Sequence, residues 1–272
     1  MGVSMLPVPG VWLEPLTAYR MSLIAAGVRE RTIDLRYRWL RRFARAVGCS
    51  PWSVDDRTII EWSASHDWAQ DTRRSAHASV RSFYKWAQSD GRVVRVPLIP
   101  VIKQSAPMPH PAMDSDIKDA RVHCDKRVAL MIRLASEAGL RRGEVARVHT
   151  RDLERDLVGW TLVVHGKGGK DRRVPLTDSL ASEIRDSPRG FVFPGNEDGH
   201  LSPSWVGHLV GKALPEGVTM HALRHRFATR AYTVTGDLLG VQRALGHTSP
   251  ATTLRYIALS DNALRRVVEA AA

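Results

Sequence analysis

The sequence predicts a mainly α chain with a small β-sheet, in which a small helical domain precedes an α+β domain. Three observations predict it. Apolar residues recur at helical spacing through the first third of the chain and again towards the C-terminus. A single stretch, residues 159–176, alternates like paired strands around a glycine-rich turn. Between the halves, Pro97, Pro100, Pro107, Pro109 and Pro111 crowd one segment, and proline's fixed φ and missing N–H stop helices and interrupt sheets.

Residues 32–47 read as an amphipathic helix. Leu35, Trp39, Leu40, Phe43 and Val47 fall at helical spacing, Arg36, Arg38, Arg41, Arg42 and Arg45 cover much of the rest, and Gly48 is the stop. Residues 55–66 form a second helix. A third spans 71–89, with Val80, Phe83, Tyr84 and Trp86 inward and Arg73, Arg74, Arg81 and Lys85 outward, and Asp90-Gly91 ends it. Residues 1–105 make the helical domain. The proline-rich segment, about 97–112, reads as an interdomain linker.

Residues 113–272 make the mixed domain. A helix over 125–138 ends at Gly139. Residues 159–165 and 172–176 pair as a hairpin whose turn, 166–171, carries Lys167 and Lys170. Ser202-Pro203 opens a helix as N-cap and first helical residue. Another helix covers 222–234 and stops near Gly236. Asp237 caps the next, which ends at Gly246. Ser249-Pro250 opens the segment containing Tyr256, and Ser260 or Asp261 starts a final helix.

Of the 272 residues, 43% are apolar and 25% charged, a globular balance. The net charge of +12 and pI of about 10.4 attract polyanions, so nucleic acid is the expected partner. Residues 1–105 alone hold 16 Lys or Arg against 9 Asp or Glu. Cys49 and Cys124 stand alone, which excludes a cysteine zinc site and fits free thiols in a reducing cytosol. No signal segment opens the chain, and no apolar run reaches the roughly 20 residues that span a bilayer. The expectation is a soluble cytoplasmic protein with no membrane association.

Three short motifs carry chemistry. In Gly139-Leu140-Arg141-Arg142-Gly143-Glu144, Arg141 sits on a helix-ending turn, placed to offer its planar fork to a phosphate. In His221-Ala222-Leu223-Arg224-His225, positions three apart share a helix face, so His221 and Arg224 point the same way. His221 and His225 have zinc-pair spacing, but Ala222 stands where a metalloprotease has Glu, and no third ligand has evident spacing. Phosphate binding fits this face better than metal. The third motif, Leu245-Gly246-His247, precedes Tyr256 by nine residues. Residues 166–170 have glycines and lysines but lack the spacing of a nucleotide-binding phosphate loop.

Arg141 in Gly-Leu-Arg-x-x-Glu, Lys167 in Gly-Lys-Gly, His221-x-Leu-Arg224-His225, Leu-Gly-His247 and then Tyr256 resemble, in order, the tyrosine recombinase or phage integrase family. The resemblance spans roughly residues 125–260. The first half resembles, less specifically, the family's helical core-binding domain. Ala138 departs from the pattern, where the family often has Thr, at a position without chemistry.

The resemblance implies that Tyr256 attacks a scissile phosphate and forms a 3′-phosphotyrosyl link. It implies that Arg141 and Arg224 clamp the non-bridging oxygens and that His221 is the base. Lys167 would protonate the leaving 5′-oxygen, and His247 would hold a phosphate oxygen or orient the site. Metal and ATP are not needed, so no cofactor is expected. The family acts on double-stranded DNA as a homotetramer on paired sites, sometimes with an accessory directionality factor. The final helix, 260–272, would dock on a neighbouring protomer.

Two rivals stand beside this reading: a type IB topoisomerase-like enzyme, which shares the tyrosine and arginine chemistry, and, from another class, a catalytically silent DNA-binding regulator on the same fold, which would have lost one or more of the six residues. Within the recombinases, a phage or mobile-element integrase in a compact form without an arm-binding domain stands beside a chromosome-dimer-resolving recombinase. High Arg and Ala content favours the integrase in a bacterial host, where it would be cytoplasmic and nucleoid-associated. Candidate DNA contacts are Arg36, Arg41, Arg73, Arg74, Arg81 and Lys85, with His77 beside them, and Lys170 and Arg172 on the hairpin.

Overall fold

The computed structural model describes residues 7–103, 110–166, 169, 171–246 and 268–271. The chain divides into two compact units, residues 1–107 and 108–272.

The first unit contains helices α1 (Leu13–Ala25), α2 (Glu30–Val47), α3 (Asp56–Ala64) and α4 (Gln70–Ser89). Their starts and stops follow local chemistry. Asp55 caps α3 by accepting from the Thr58 N–H at 2.8 Å. Gly48 closes α2 in the left-handed conformation. The core is aromatic: Trp12, Tyr19, Phe43, Phe83 and Tyr84 are fully buried. Trp12 meets Phe43 edge-on at 5.8 Å, and Tyr19 meets Phe83 at 5.5 Å.

Helix α1 is an addition to the sequence reading. Leu16, Tyr19 and Leu23 are buried while Leu13, Met21 and Ile24 are exposed, so apolar residues lie on both sides and no single stripe marks it. In α2, Ile33 is buried and Leu35 exposed, which corrects the expected stripe at its start.

The first part of the proline-rich segment is fastened to the first unit. Ile99 is buried. Arg81 donates to the carbonyls of Ile99 and Pro100, His77 hydrogen-bonds the Pro100 carbonyl, and the Leu98 N–H donates to Asp56. Prolines lose a donor but keep an acceptor, and here those carbonyls are used.

The second unit holds α5 (Asp114–His123), α6 (Lys126–Ser136), α7 (Arg142–Ala146), α8 (Asp178–Arg185), α9 (Pro203–Ala213), α10 (Met220–Thr235) and α11 (Leu238–Leu245). Its strands are β1 (Leu153–Arg155), β2 (Trp160–His165), β3 (Asp171–Leu176) and the short β4 (Pro194–Glu197). The expected hairpin is the β2–β3 pair of a three-stranded antiparallel sheet ordered β1-β2-β3. Leu162, Val164 and Val174 turn inward from it. Helix α6 is the centre of the core, with Met131, Ile132, Leu134 and Ala135 fully buried. Ser202 caps α9 and Pro203 opens it, as the sequence predicts. No helix among the described residues is long and apolar enough to cross a membrane.

Candidate active site

The site begins where α6 stops. Gly139 takes φ 65°, and a Cβ there would lie 2.5 Å from Phe227 Cδ1 on α10 and 3.1 Å from Leu245 on α11. Glycine alone lets this turn approach both helices so closely. The turn then presents Arg141 at the start of α7, with Glu144 one turn on.

Glu144 is buried and gathers arginines. Its carboxylate accepts from the Arg141 backbone N–H at 2.7 Å and from Arg141 Nη1 at 2.8 Å. Arg172 reaches it from β3 as a two-pronged pair at 2.9 and 2.8 Å. Arg224 Nη1, from α10, lies 3.9 Å away. Burial works to raise the Glu144 pKa, but the Arg172 pair and the Arg141 bonds outweigh it and bring it down to about 2.

The same arginines cap the end of α11. Arg172 Nε donates to the Ala244 carbonyl at 2.8 Å, Arg224 Nη2 to Leu245 at 2.6 Å, and Arg141 Nη2 to Gly246 at 3.2 Å. Carbonyls at a helix C-terminus have no partners within the helix and carry its negative end. Three cations from three elements therefore fix the turn that leads, in the chain, to His247. Arg224 also donates to the Gly139 carbonyl, which joins the end of α6 to the end of α11 through one buried guanidinium.

His221 lies in the first turn of α10, because that helix starts two residues earlier than the sequence suggested. Thr219 caps it. The imidazole has solvent access, yet the protein packed around it and the positive charges of Arg224 and Arg141 lower its pKa below the usual 6.5. A neutral imidazole beside two guanidinium groups is an acceptor of protons. The ring meets His225 edge-on at 4.3 Å. Among the described residues no group of three His, Cys, Asp or Glu could hold a metal ion.

Lys167, Lys170, His247 and Tyr256 lie outside the described residues, as does most of the expected final helix, of which 268–271 are helical. The residues on either side of 166–170 are described. His165 pairs with Asp171, and the His165 ring bridges Asp171 at 3.0 Å and Asp152 at 3.3 Å. These carboxylates, Asp152 foremost, raise the His165 pKa.

Several expected DNA contacts are occupied by the protein itself. Arg73 donates to the carbonyls of Ser63 and His66, and Arg81 to those of Ile99 and Pro100. His77 is buried between Ser63 and Pro100. Arg172 has its fork on Glu144. Internal hydrogen bonds at these four positions are a feature the sequence did not predict. Arg74 and Lys85 are exposed on α4, while Arg36 and Arg41 are half-buried on α2. Glu144 is a site residue with a local sequence signal: Glu three residues after the residue opening a helix reaches back to that residue's N–H.

The model of the "Phage integrase family" matches residues 115–263. Tyrosine recombinase XerC of Xanthomonas campestris pv. campestris (strain B100) is 33% identical over 213 residues, which cover 71% of this chain and 66% of that protein. The chain thus aligns with just under two thirds of that relative's length. Among solved structures, a lambda integrase (75–356) dimer bound to a COC′ core site superposes with a TM-score of 0.74 at 16% identity, covering 90% of this chain and 94% of that one. XerH site-specific recombinase bound to palindromic difH substrate gives 0.72 at 17% identity, covering 98% and 90%.

Proposed function

The chain belongs to the phage integrase family of tyrosine recombinases, and on that footing we propose that it recombines double-stranded DNA at specific sites through Tyr256. The observation that carries the reading is the joining of Arg141 and Arg224 at the turn 244–246, which runs on in the chain to His247 and Tyr256.

The chemistry balances without a cofactor. The Tyr256 hydroxyl oxygen attacks the scissile phosphorus, and its proton passes to neutral His221. Arg141 and Arg224 offset the charge that grows on the non-bridging oxygens. The bond from phosphorus to the 5′-oxygen breaks, its electron pair stays on that oxygen, and Lys167 supplies the proton. The products are a 3′-phosphotyrosine and a 5′-hydroxyl. A 5′-hydroxyl from a partner strand attacks in reverse, so bond energy is conserved and no ATP is consumed.

Structural neighbours were solved bound to a palindromic difH substrate, to a COC′ core site and, for the Tn1549 transposon integrase, to a circular intermediate DNA, which supports double-stranded DNA as the partner here. The working assembly is a homotetramer on paired sites in the bacterial cytoplasm, on nucleoid DNA, with an accessory directionality factor setting integration against excision. The curated relatives, named tyrosine recombinase XerC, favour a second role on the same chemistry, resolution of chromosome dimers. Recombination of two plasmid-borne copies of the DNA flanking the gene tests the activity. A chromosomal terminus site as the preferred substrate would select the second role.

A further inference from the structure

We propose that Arg172 is a positioning residue: it locks β3 to the arginine pair and so places Lys167 for protonation of the leaving 5′-oxygen. The inference rests on the recombinase reading and extends it.

Among the described residues, β3 lies at an edge of the sheet, paired with β2. Arg172 secures that edge. It shares a strand face with buried Val174, and its side chain is 11% exposed. Every nitrogen of the guanidinium is placed, with Nε on the Ala244 carbonyl at 2.8 Å and Nη1 and Nη2 on Glu144 at 2.9 and 2.8 Å. A Cβ on Gly246 would fall 2.9 Å from Arg172 Cδ, so the end of α11 rests on the stem of this side chain. One residue therefore links β3, α7 and α11.

The sequence distance to the chemistry is short. Asp171 pairs with His165, so the two residues that flank the segment 166–170 are held together. Fixing Arg172 therefore fixes the root of the segment that carries Lys167. A guanidinium already forked onto a carboxylate does not offer that fork to a phosphate. Lysine would keep the charge but could not span Glu144 and Ala244 together.

Single-turnover adduct formation tests this with a nicked duplex and the same duplex carrying sulfur at the bridging 5′ position. A thiolate leaves without a proton, so sulfur removes the need for Lys167. Arg172→Lys, binding DNA like the parent, is expected to lose about 100-fold on the oxygen duplex, the scale of a small misplacement. At least about tenfold of that should return with sulfur. Arg172→Met, which keeps the stem beneath Gly246, should show the same pattern. In a Lys167→Ala background, Arg172→Lys should add little. Equal losses on both duplexes, unchanged oxygen rates, or failure of both variants to fold and bind would overturn the inference. Absence of an adduct with the parent protein on either duplex would instead overturn the recombinase reading.

Discussion

The buried guanidinium of Arg224 donates to the carbonyl of Leu245 at 2.6 Å, tying the helix that holds His221 to the end of the helix before His247. Arg172 and Arg141 take the carbonyls on either side, and Glu144 offsets the charge they bring together. The site is thus organised around one buried carboxylate and the C-terminus of α11.

Glu144→Gln should destabilise the fold. A carboxyl held at about 2 instead of the ordinary 4.5 contributes stability that is full above pH 4.5 and fades as pH falls towards 2. At about 1.4 kcal/mol per unit, the contribution is roughly 3 kcal/mol. Urea denaturation of both proteins from pH 7 to pH 2.5 measures it. The gap between them should be widest at pH 7 and shrink through that window.

Arg224→Ala and Arg141→Ala should separate stability from activity. Arg224 has a 3% exposed side chain and bonds to two carbonyls, so its loss should cost about 3 kcal/mol or more. Arg141, 41% exposed, should cost about 1 kcal/mol or less. Under the proposed mechanism, in which both guanidinium groups serve the phosphate, both variants should lose adduct formation. Thermal melts beside cleavage assays check the contrast.

His221 should titrate below 6.5, and removing a neighbouring positive charge should raise it. NMR titration of the imidazole in the parent and in Arg141→Ala measures this without any substrate. Adduct formation should fall as acid protonates His221 and level off above its pKa. An upward-shifted His221 in the parent would contradict its assignment as the base.

On the first unit, Arg74 and Lys85 should act differently from Arg73 and Arg81. If the exposed pair contacts phosphates, the double Ala variant should flatten the slope of log K against log salt by about 0.9 for each contact. Arg81→Ala should instead release the segment 97–103 and lower the melting temperature, because its donors serve Ile99 and Pro100.

Much of this was legible because caps and stops are local. Gly48, Asp55, Ser202, Gly236 and Gly246 mark helix ends through chemistry within a few residues. Helix α1 was not legible, since apolar residues on both of its sides erase the period. The inward aim of Arg172 was half-legible, as it lies two residues from Val174 on one strand face. Its partner Glu144 is 28 residues away, and no local pattern joins them. Arg73 and Arg81 looked outward because α4 alone leaves them there. The carbonyls that claim them come from α3 and its end, and from the proline-rich segment.

The most direct measurement is trapping on a nicked suicide duplex, built from the DNA flanking the gene, in EDTA, with Tyr256→Phe alongside. The account predicts a covalent protein–DNA adduct on a denaturing gel that survives EDTA and vanishes in the variant. A well-bound duplex that yields no adduct, or an adduct that persists in Tyr256→Phe, would contradict it.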